Sequence, residues 1–157
     1  MSYAHYWHIR NDKNIDDEKW NLIIKDVKKL FEYFKIQNEK NDGFQLAGWN
    51  GHDEPIINDN EISFNGKDND SCESIIIYNK YNYNHPITEN YYSDFCKTAR
   101  KPYDIVVQMV LLIFKHHIQN DIIINSDGND TDWINAIELT KEIFNYKDVS
   151  KEYISNL

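Results

Sequence analysis

The chain has 157 residues, which is enough for one domain. Hydrophobic residues make up 41% of it and aromatic residues 14%, so we expect a packed core, but no apolar run is long enough to cross a membrane. The net charge of −9 disfavours general nucleic-acid binding, because an acidic surface repels phosphates unless basic residues cluster locally.

The cysteines point to a reducing environment. Cys72 and Cys96 lie far apart and neither has a CxxC partner, which argues against both a zinc ribbon and a disulfide framework. The first residues, MSYAHYWHIR, lack the basic segment followed by an apolar segment that a secretory signal has. We therefore expect an intracellular protein without a cofactor.

The first half of the chain predicts a strand, a long helix and three further strands. Residues 3–9 alternate in the period-two pattern of a strand, and residues 11–14 form a turn. Acidic residues open a helix over residues 16–37, where they suit the positive end of the helix dipole. The next strands are expected over residues 44–49, 61–64 and 73–81, with a loop over residues 50–60.

The second half predicts two helices and one short strand. A polar, tyrosine-rich connection over residues 82–93 leads to Pro102, which suits the first turn of a helix. That helix is apolar on nearly every side, so it should be largely buried. A strand over residues 122–124, a turn at Asp127-Gly128 and a last helix around residues 133–144, capped by Asp130 or Thr131, follow.

This order of elements, β-α-β-β-β-α-β-α, predicts the α+β class. We expect a mainly antiparallel sheet of about five strands with three helices on one face. A ferredoxin-like core with an added strand and a terminal helix is one topology that fits. Residues 1–147 would form a single domain, and residues 148–157 a loosely held tail.

The segment FCKTARKPYD, residues 95–104, is the strongest candidate for a site. Lys97, Arg100 and Lys101 lead into the N-terminus of the Pro102 helix, where free N–H groups and the dipole favour an anion. With Tyr103 they form a candidate binding set for a phosphate-bearing or other anionic ligand. The alternative is that these cations pair with acidic side chains, and the chain has no GxxxxGK[ST] phosphate loop.

A catalytic use of the same segment depends on Cys96. Three nearby cations would lower the pKa of its thiol, and a histidine such as His5 or His8, brought close by folding, could act as its base. The alternative is that Cys96 is a small buried side chain.

Metal binding is not predicted. His5 and His8 fall on opposite faces of their strand, and His116 and His117 diverge by about 100° on a helix. Residues 127–138 match several positions of an EF-hand calcium loop, but Asp132 stands where that loop needs glycine. We expect a turn and a helix cap there.

Five short motifs occur in order along the chain. They are HYW at residues 5–7, FNG at 64–66, FCKTARKPYD at 95–104, KHH at 115–117 and SDG at 126–128. In these motifs the chain resembles a family of small uncharacterised proteins seen in bacteria and large DNA viruses. The resemblance implies a self-contained domain, and it assigns a catalytic role to none of the residues. With a composition typical of an AT-rich genome, it makes a large DNA virus a plausible source, so that the protein would act in the host cytoplasm or the virion.

Three hypotheses follow from the sequence. The first is a protein that binds an anionic small molecule or a protein partner through Lys97, Arg100 and Lys101. The second is a small enzyme acting on a phosphorylated or nucleotide substrate. The third is a structural or interaction module, with a homodimer formed through an exposed sheet face as one form of it.

Overall fold

The computed structural model describes residues 3–10, 14–80 and 91–157. Residues 11–13 of the turn predicted over residues 11–14, and residues 82–90 of the connection predicted over residues 82–93, lie outside these ranges. In chain order the helices and strands are β1 (Ala4–Arg10), α1 (Asp17–Asn41), β2 (Leu46–Ala47), β3 (Ile56–Ile57), β4 (Glu61–Gly66), β5 (Ile75–Tyr78), β6 (Tyr91–Lys97), α2 (Asp104–Ile118), β7 (Ile122–Ser126) and α3 (Asp130–Phe144).

The strands form two antiparallel sheets, which confirms the α+β class. One sheet has the order β6-β1-β7, and in the other β4 pairs with β2, β3 and β5. Because β1 runs antiparallel to both of its neighbours, β6 and β7 run parallel to each other. The expected single sheet of about five strands is wrong: the described residues hold seven strands, and the ferredoxin-like order is not confirmed.

Strand β6 is the largest departure from the expected elements. Residues 82–93 were expected to be a connection, yet Tyr91–Lys97 pairs with β1 along its whole length, from Arg10 opposite Tyr91 to Ala4 opposite Lys97. Ser93, Asp94 and Lys97 make its sequence polar, and only three of its seven residues have the side-chain types that favour strands. Pairing with β1 therefore decides the conformation of this segment.

Helix α2 lies in the middle of the protein, as its composition predicts. Every residue from Val106 to Phe114 is buried, including the polar Gln108. The Gln108 amide has a hydrogen-bonding partner, because its Nε2 donates to the Asp132 carbonyl at 2.8 Å. The helix contacts both α1 and α3, and all three helices contribute to one hydrophobic core.

Helix α1 is longer than expected at its C-terminus. It begins after Asp16, whose Oδ1 accepts a hydrogen bond from the Glu18 N–H, as the acidic start predicts. It continues to Asn41 and ends at Asp42, which adopts the left-handed conformation with φ of 52°. No described helix combines the length and the apolar character that crossing a membrane requires.

The C-terminal residues pack against the first sheet, contrary to the expectation of a loosely held tail. Val149, Tyr153 and Ile154 are buried. Ile154 forms a parallel bridge with Ile124, and the Ser155 N–H donates to the Ile124 carbonyl at 2.7 Å. The C-terminal residues thus cover the free edge of β7, which would be exposed if the tail were loosely held.

Candidate functional site

Three of the motifs meet at one edge of the β6-β1-β7 sheet. The parallel strands β6 and β7 end there, the helices α2 and α3 begin just beyond them, and β1 starts between them. We call this region the motif edge and define it as Tyr3, residues 97–104 and residues 126–132. Helix N-termini offer free N–H groups and the positive end of the helix dipole, so the motif edge, where two helices begin, is the candidate region for an anion site.

A strained turn carries Arg100 at this edge. Ala99 and Arg100 have φ of 51° and 56°, and the Lys101 N–H donates to the Thr98 carbonyl at 3.0 Å. This is the pattern of a type I′ turn, which normally uses glycine or asparagine because other residues pay about 1–2 kcal/mol in the left-handed region. The Tyr3 carbonyl accepts hydrogen bonds from both the Thr98 and Ala99 N–H groups at 3.2 Å and so anchors the turn.

The Arg100 guanidinium has two partners at the motif edge. It lies over the Tyr3 ring at 4.1 Å from the ring centroid, and its Nη2 and Nε donate to the two oxygens of Asp132 at 3.2 and 3.4 Å. The hydrogen bond with Asp132 raises the pKa of Arg100. The side chain is still 55% exposed, and within the described ranges no hydrogen bond involves Nη1, so Arg100 keeps donors that face solvent.

The other expected ligand-binding residues do not join Arg100. The Lys101 side chain donates through Nζ to the Asn69 carbonyl at 3.1 Å. Lys97 contacts Glu73 through its backbone N–H, which donates to Glu73 Oε2 at 2.9 Å. Tyr103 is fully buried, and its hydroxyl donates to the Glu73 carbonyl. Arg100 and Lys101 thus have different partners. The contacts do not bring all four residues together in one compact site.

Cys96 has the opposite environment from the one the sequence suggested. It is fully buried, and its thiol donates to the Glu73 carbonyl at 3.3 Å. Burial raises the pKa of the thiol, and the charge of Glu73 raises it further, whereas the neighbouring cations were expected to lower it. The reason is alternation: successive strand residues face opposite sides, so Lys97 points away from the core that holds Cys96.

His5 connects two of the motifs inside the protein. Its Nδ1 lies 2.8 Å from Ser126 Oγ, and its Nε2 lies 2.7 Å from Asp104 Oδ1. The Ser126 oxygen already accepts hydrogen bonds from Trp133 Nε1 at 3.0 Å and from the Gly128 N–H at 2.9 Å. We therefore infer that the Ser126 hydroxyl donates its hydrogen bond to His5 Nδ1. His5 then carries its proton on Nε2 and donates to Asp104 Oδ1.

This Ser126–His5–Asp104 arrangement has the connectivity of a catalytic triad but lacks access to a substrate. Ser126 is 4% exposed, His5 is fully buried, and the serine oxygen is saturated by its internal partners. Thr98 Oγ1 also donates to Asp104 Oδ1, at 2.6 Å. The network ties the start of β1 and the ends of β6 and β7 to the starts of α2 and α3. Sequence analysis missed it because His5 is 99 residues from Asp104 and 121 from Ser126 along the chain.

The remaining candidates have local partners. His8 lies on the face of β1 opposite His5, and its Nδ1 is 2.6 Å from Ser93 Oγ; burial lowers its pKa. At the calcium-like segment, Asn129 and Asp132 form a reciprocal capping box at the start of α3. Among the described residues, no group of three or more His, Cys, Asp or Glu side chains could hold a metal ion.

A second polar cluster lies at the opposite end of α2. His117 Nε2 is 2.7 Å from Asp26 Oδ2, and the Tyr146 hydroxyl donates to the same oxygen. The His116 ring stacks on the Tyr146 ring with centroids 3.6 Å apart. A cavity of about 310 Å³ beside His117 is lined by the apolar side chains of Ile9, Ile15 and Ile118 and by a polar rim.

Comparison of the chain with protein-family models, with curated protein sequences and with solved structures found no match.

Proposed function

We propose that the protein binds a small phosphate-bearing or other anionic molecule at the motif edge, with Arg100 as its principal contact. The observation that carries the proposal is the strained turn at Ala99 and Arg100. Left-handed residues other than glycine persist only where the surrounding structure holds them, and they cluster at functional sites. Here the strain fixes the place of a half-exposed arginine.

The acidic residues of the motif edge do not exclude an anion, because each already has donors within the fold. Asp104 accepts from His5 and Thr98, and Asp127 accepts from the Ala4 N–H at 3.0 Å. Asp132 accepts from the Asn129 N–H at 2.9 Å as well as from Arg100. These bonds spread the negative charges over internal partners, while the Arg100 Nη1 donors remain on the outside.

The Arg100–Asp132 ion pair orients the guanidinium but is weak enough to rearrange. Exposed pairs of this kind contribute about 0–1 kcal/mol. A phosphate group offers two oxygens to the guanidinium fork and up to two negative charges, so it competes well with a single carboxylate.

The two alternatives stay hypotheses. An enzyme that uses Cys96 or His5 would need either side chain to become accessible, and both are fully buried. Partner and homodimer formation are likewise proposals, and an intracellular setting is consistent with the two free cysteines. We favour the anion-binding hypothesis because Arg100 is half-exposed and is held in place at the motif edge.

Isothermal titration calorimetry with inorganic phosphate, a nucleoside monophosphate and a sugar phosphate tests the proposal. We expect at least one of these probes to bind the wild-type protein and Arg100→Ala to weaken it about tenfold or more, as loss of a charged hydrogen bond implies. Arg100→Lys keeps the charge but loses the fork, so it should bind with intermediate affinity.

Lys28→Ala is the matched control, because it removes an exposed positive charge from α1 and leaves the motif edge intact. Its affinity should equal that of the wild type. Equal weakening by Lys28→Ala and Arg100→Ala would show that only net charge matters, and no binding of any probe would refute the proposal.

A further inference from the structure

The hydroxyl of Tyr3 is the unexplained polar group of the motif edge. The residue is 4% exposed, and no hydrogen-bond partner for its Oη is found in the described part of the chain. A buried donor without an acceptor loses its hydrogen bonds to water and gains none in the fold, so native structures rarely keep one without a reason. The ring itself is well held, edge-on to His5 at 5.2 Å and beneath the Arg100 guanidinium.

This hydroxyl points at the N-terminus of α3. A Cβ at residue 128 would lie 2.7 Å from Tyr3 Oη and 3.0 Å from the Asp132 Cβ, so only glycine lets the hydroxyl approach this close. Gly128 directly precedes Asn129, the N-cap of the 15-residue helix α3. The positive end of the α3 dipole, the Arg100 guanidinium and the Tyr3 hydroxyl thus lie around one position.

We propose that the Tyr3 hydroxyl is the inner recognition group of the motif edge and donates a hydrogen bond to a phosphoryl oxygen held between Arg100 and the N-terminus of α3. The inference rests on the proposed function and specifies its ligand class as a phosphate group, free or esterified.

Three neighbouring groups favour a phosphoryl group over a carboxylate. The Arg100 guanidinium lies 4.1 Å from the Tyr3 ring centroid and pairs with Asp132 in the first turn of α3, and Tyr3 Oη lies against Gly128, just before that turn. A tetrahedral phosphoryl group presents three oxygens that can meet these groups, whereas a carboxylate presents two in one plane. Burial raises the pKa of Tyr3, and Asp104 and Asp132 raise it further, so the hydroxyl stays protonated as a donor at neutral pH.

The Arg100 side chain lies across the Tyr3 ring and is held by an exposed ion pair with Asp132. In the proposed complex the arginine side chain rotates, while the backbone of the turn stays in place through its hydrogen bonds to the Tyr3 carbonyl. The bound phosphoryl group then replaces Asp132 as the partner of the guanidinium.

Tyr3→Phe tests the inference, because it removes the hydroxyl and keeps the ring. Binding of inorganic phosphate and of a phosphate ester is measured on the full chain by calorimetry, with acetate as the carboxylate probe. We expect Tyr3→Phe to weaken phosphate binding about tenfold, with acetate much weaker than phosphate throughout. Without phosphate its melting temperature should equal or exceed that of the wild type, since an unpaired buried group is lost.

Tyr33→Phe on α1 is the matched control and should change neither phosphate affinity nor melting temperature. A wild-type protein that binds phosphate and a Tyr3→Phe variant that binds it equally would overturn this inference alone. A lower melting temperature for Tyr3→Phe would show that the hydroxyl has a partner within the fold, which also overturns it. If the wild type binds no phosphate and no ester, this inference and the proposed function fail together.

Discussion

Alternation along β6 separates Cys96 from Lys97 and decides what each residue can do. Cys96 faces the core opposite His5 in the register of β1, while Lys97 faces outward. Their adjacency in the sequence suggested a thiolate stabilised by cations, but that inference assumed a loop. In a strand, adjacent side chains are directed to opposite sides, so a charge one residue away has little access to the thiol.

The buried thiol leads to a prediction about reactivity. Because the pKa of Cys96 is raised by burial and by Glu73, the thiol should not react with Ellman's reagent in the folded protein at pH 8. The measurement uses Cys72→Ser, in which Cys96 is the one remaining thiol, and labelling should appear only in denaturant.

The matching variant for this measurement is Cys96→Ala, which keeps Cys72. Cys72 is partly exposed, so it should react without denaturant, although more slowly than a free thiol. Native labelling of Cys72→Ser at the rate of a small thiol would contradict the assignment of Cys96 to the core.

At the scale of elements, the hydrophobic pattern predicted the helices far better than the strands. The apolar run from Ile105 to Phe114 fits a buried helix and hardly anything else, and α1 shows clear helical spacing. Strands β2 and β3 have two residues each, too few for any period to be detected. Strand β6 is long, but its polar residues give it no recognisable strand pattern, and its conformation depends on pairing with β1.

The turn between β6 and α2 supplies a prediction about strain. Ala99→Gly should stabilise the protein by about 0.5–1 kcal/mol, because it removes a left-handed penalty of about 1–2 kcal/mol and adds a smaller entropic cost in the unfolded chain. Unfolding in urea measures the change. Ala99→Ser keeps the Cβ and should leave the free energy of unfolding almost unchanged, so equal values for the two variants would show that the turn is not strained.

At the scale of the whole molecule, one polar cluster joins all three helices. Asp26 belongs to α1, His117 to the end of α2, and Tyr146 to the segment just after α3. Burial alone would raise the pKa of Asp26, but the hydrogen bonds from His117 and Tyr146 and the charge of His117 outweigh burial and lower it. The ionised form of Asp26 is therefore favoured more strongly in the folded chain than in the unfolded chain.

This cluster predicts part of the acid sensitivity of the fold. A carboxyl group whose pKa is lowered by folding contributes stability above its ordinary pKa of 3.8 and loses it as the pH falls through that value and then through the folded value. Asp26→Asn should lower the free energy of unfolding by about 1–3 kcal/mol at pH 7, and by less at pH 3. Urea unfolding measures this effect. From pH 7 to pH 3 the free energies of unfolding of Asp26→Asn and of the wild type should converge.

Glu32→Gln is the control for the acid-induced loss of stability, because Glu32 is exposed in the middle of the same helix, away from the helix ends. Its curve should run parallel to that of the wild type over the whole range. A constant difference between Asp26→Asn and the wild type down to pH 3 would show that the cluster does not favour the ionised carboxylate.

Sequence patterns were enough to predict the α+β class, the long amphipathic helix α1, the burial of α2 and the position of the segment FCKTARKPYD at the start of a helix. These features depend on local patterns of apolar residues and on proline, which act over a few turns of chain. It also singled out Arg100, although as one member of a cluster with Lys97, Lys101 and Tyr103.

Which of those residues can meet a ligand depends on long-range contacts in the fold. Pairing with β1 makes residues 91–97 a strand, and this buries Cys96 and sends Lys97 to the other face. The contacts of Tyr3 with the Arg100 turn and with Gly128 join parts of the chain that are about 100 residues apart. Such long-range pairings leave no periodic signal, because each one depends on the shape of the partner rather than on its neighbours in the chain. The anion-binding hypothesis has accordingly narrowed from four residues in one segment to Arg100 and Tyr3 beside the first turn of α3.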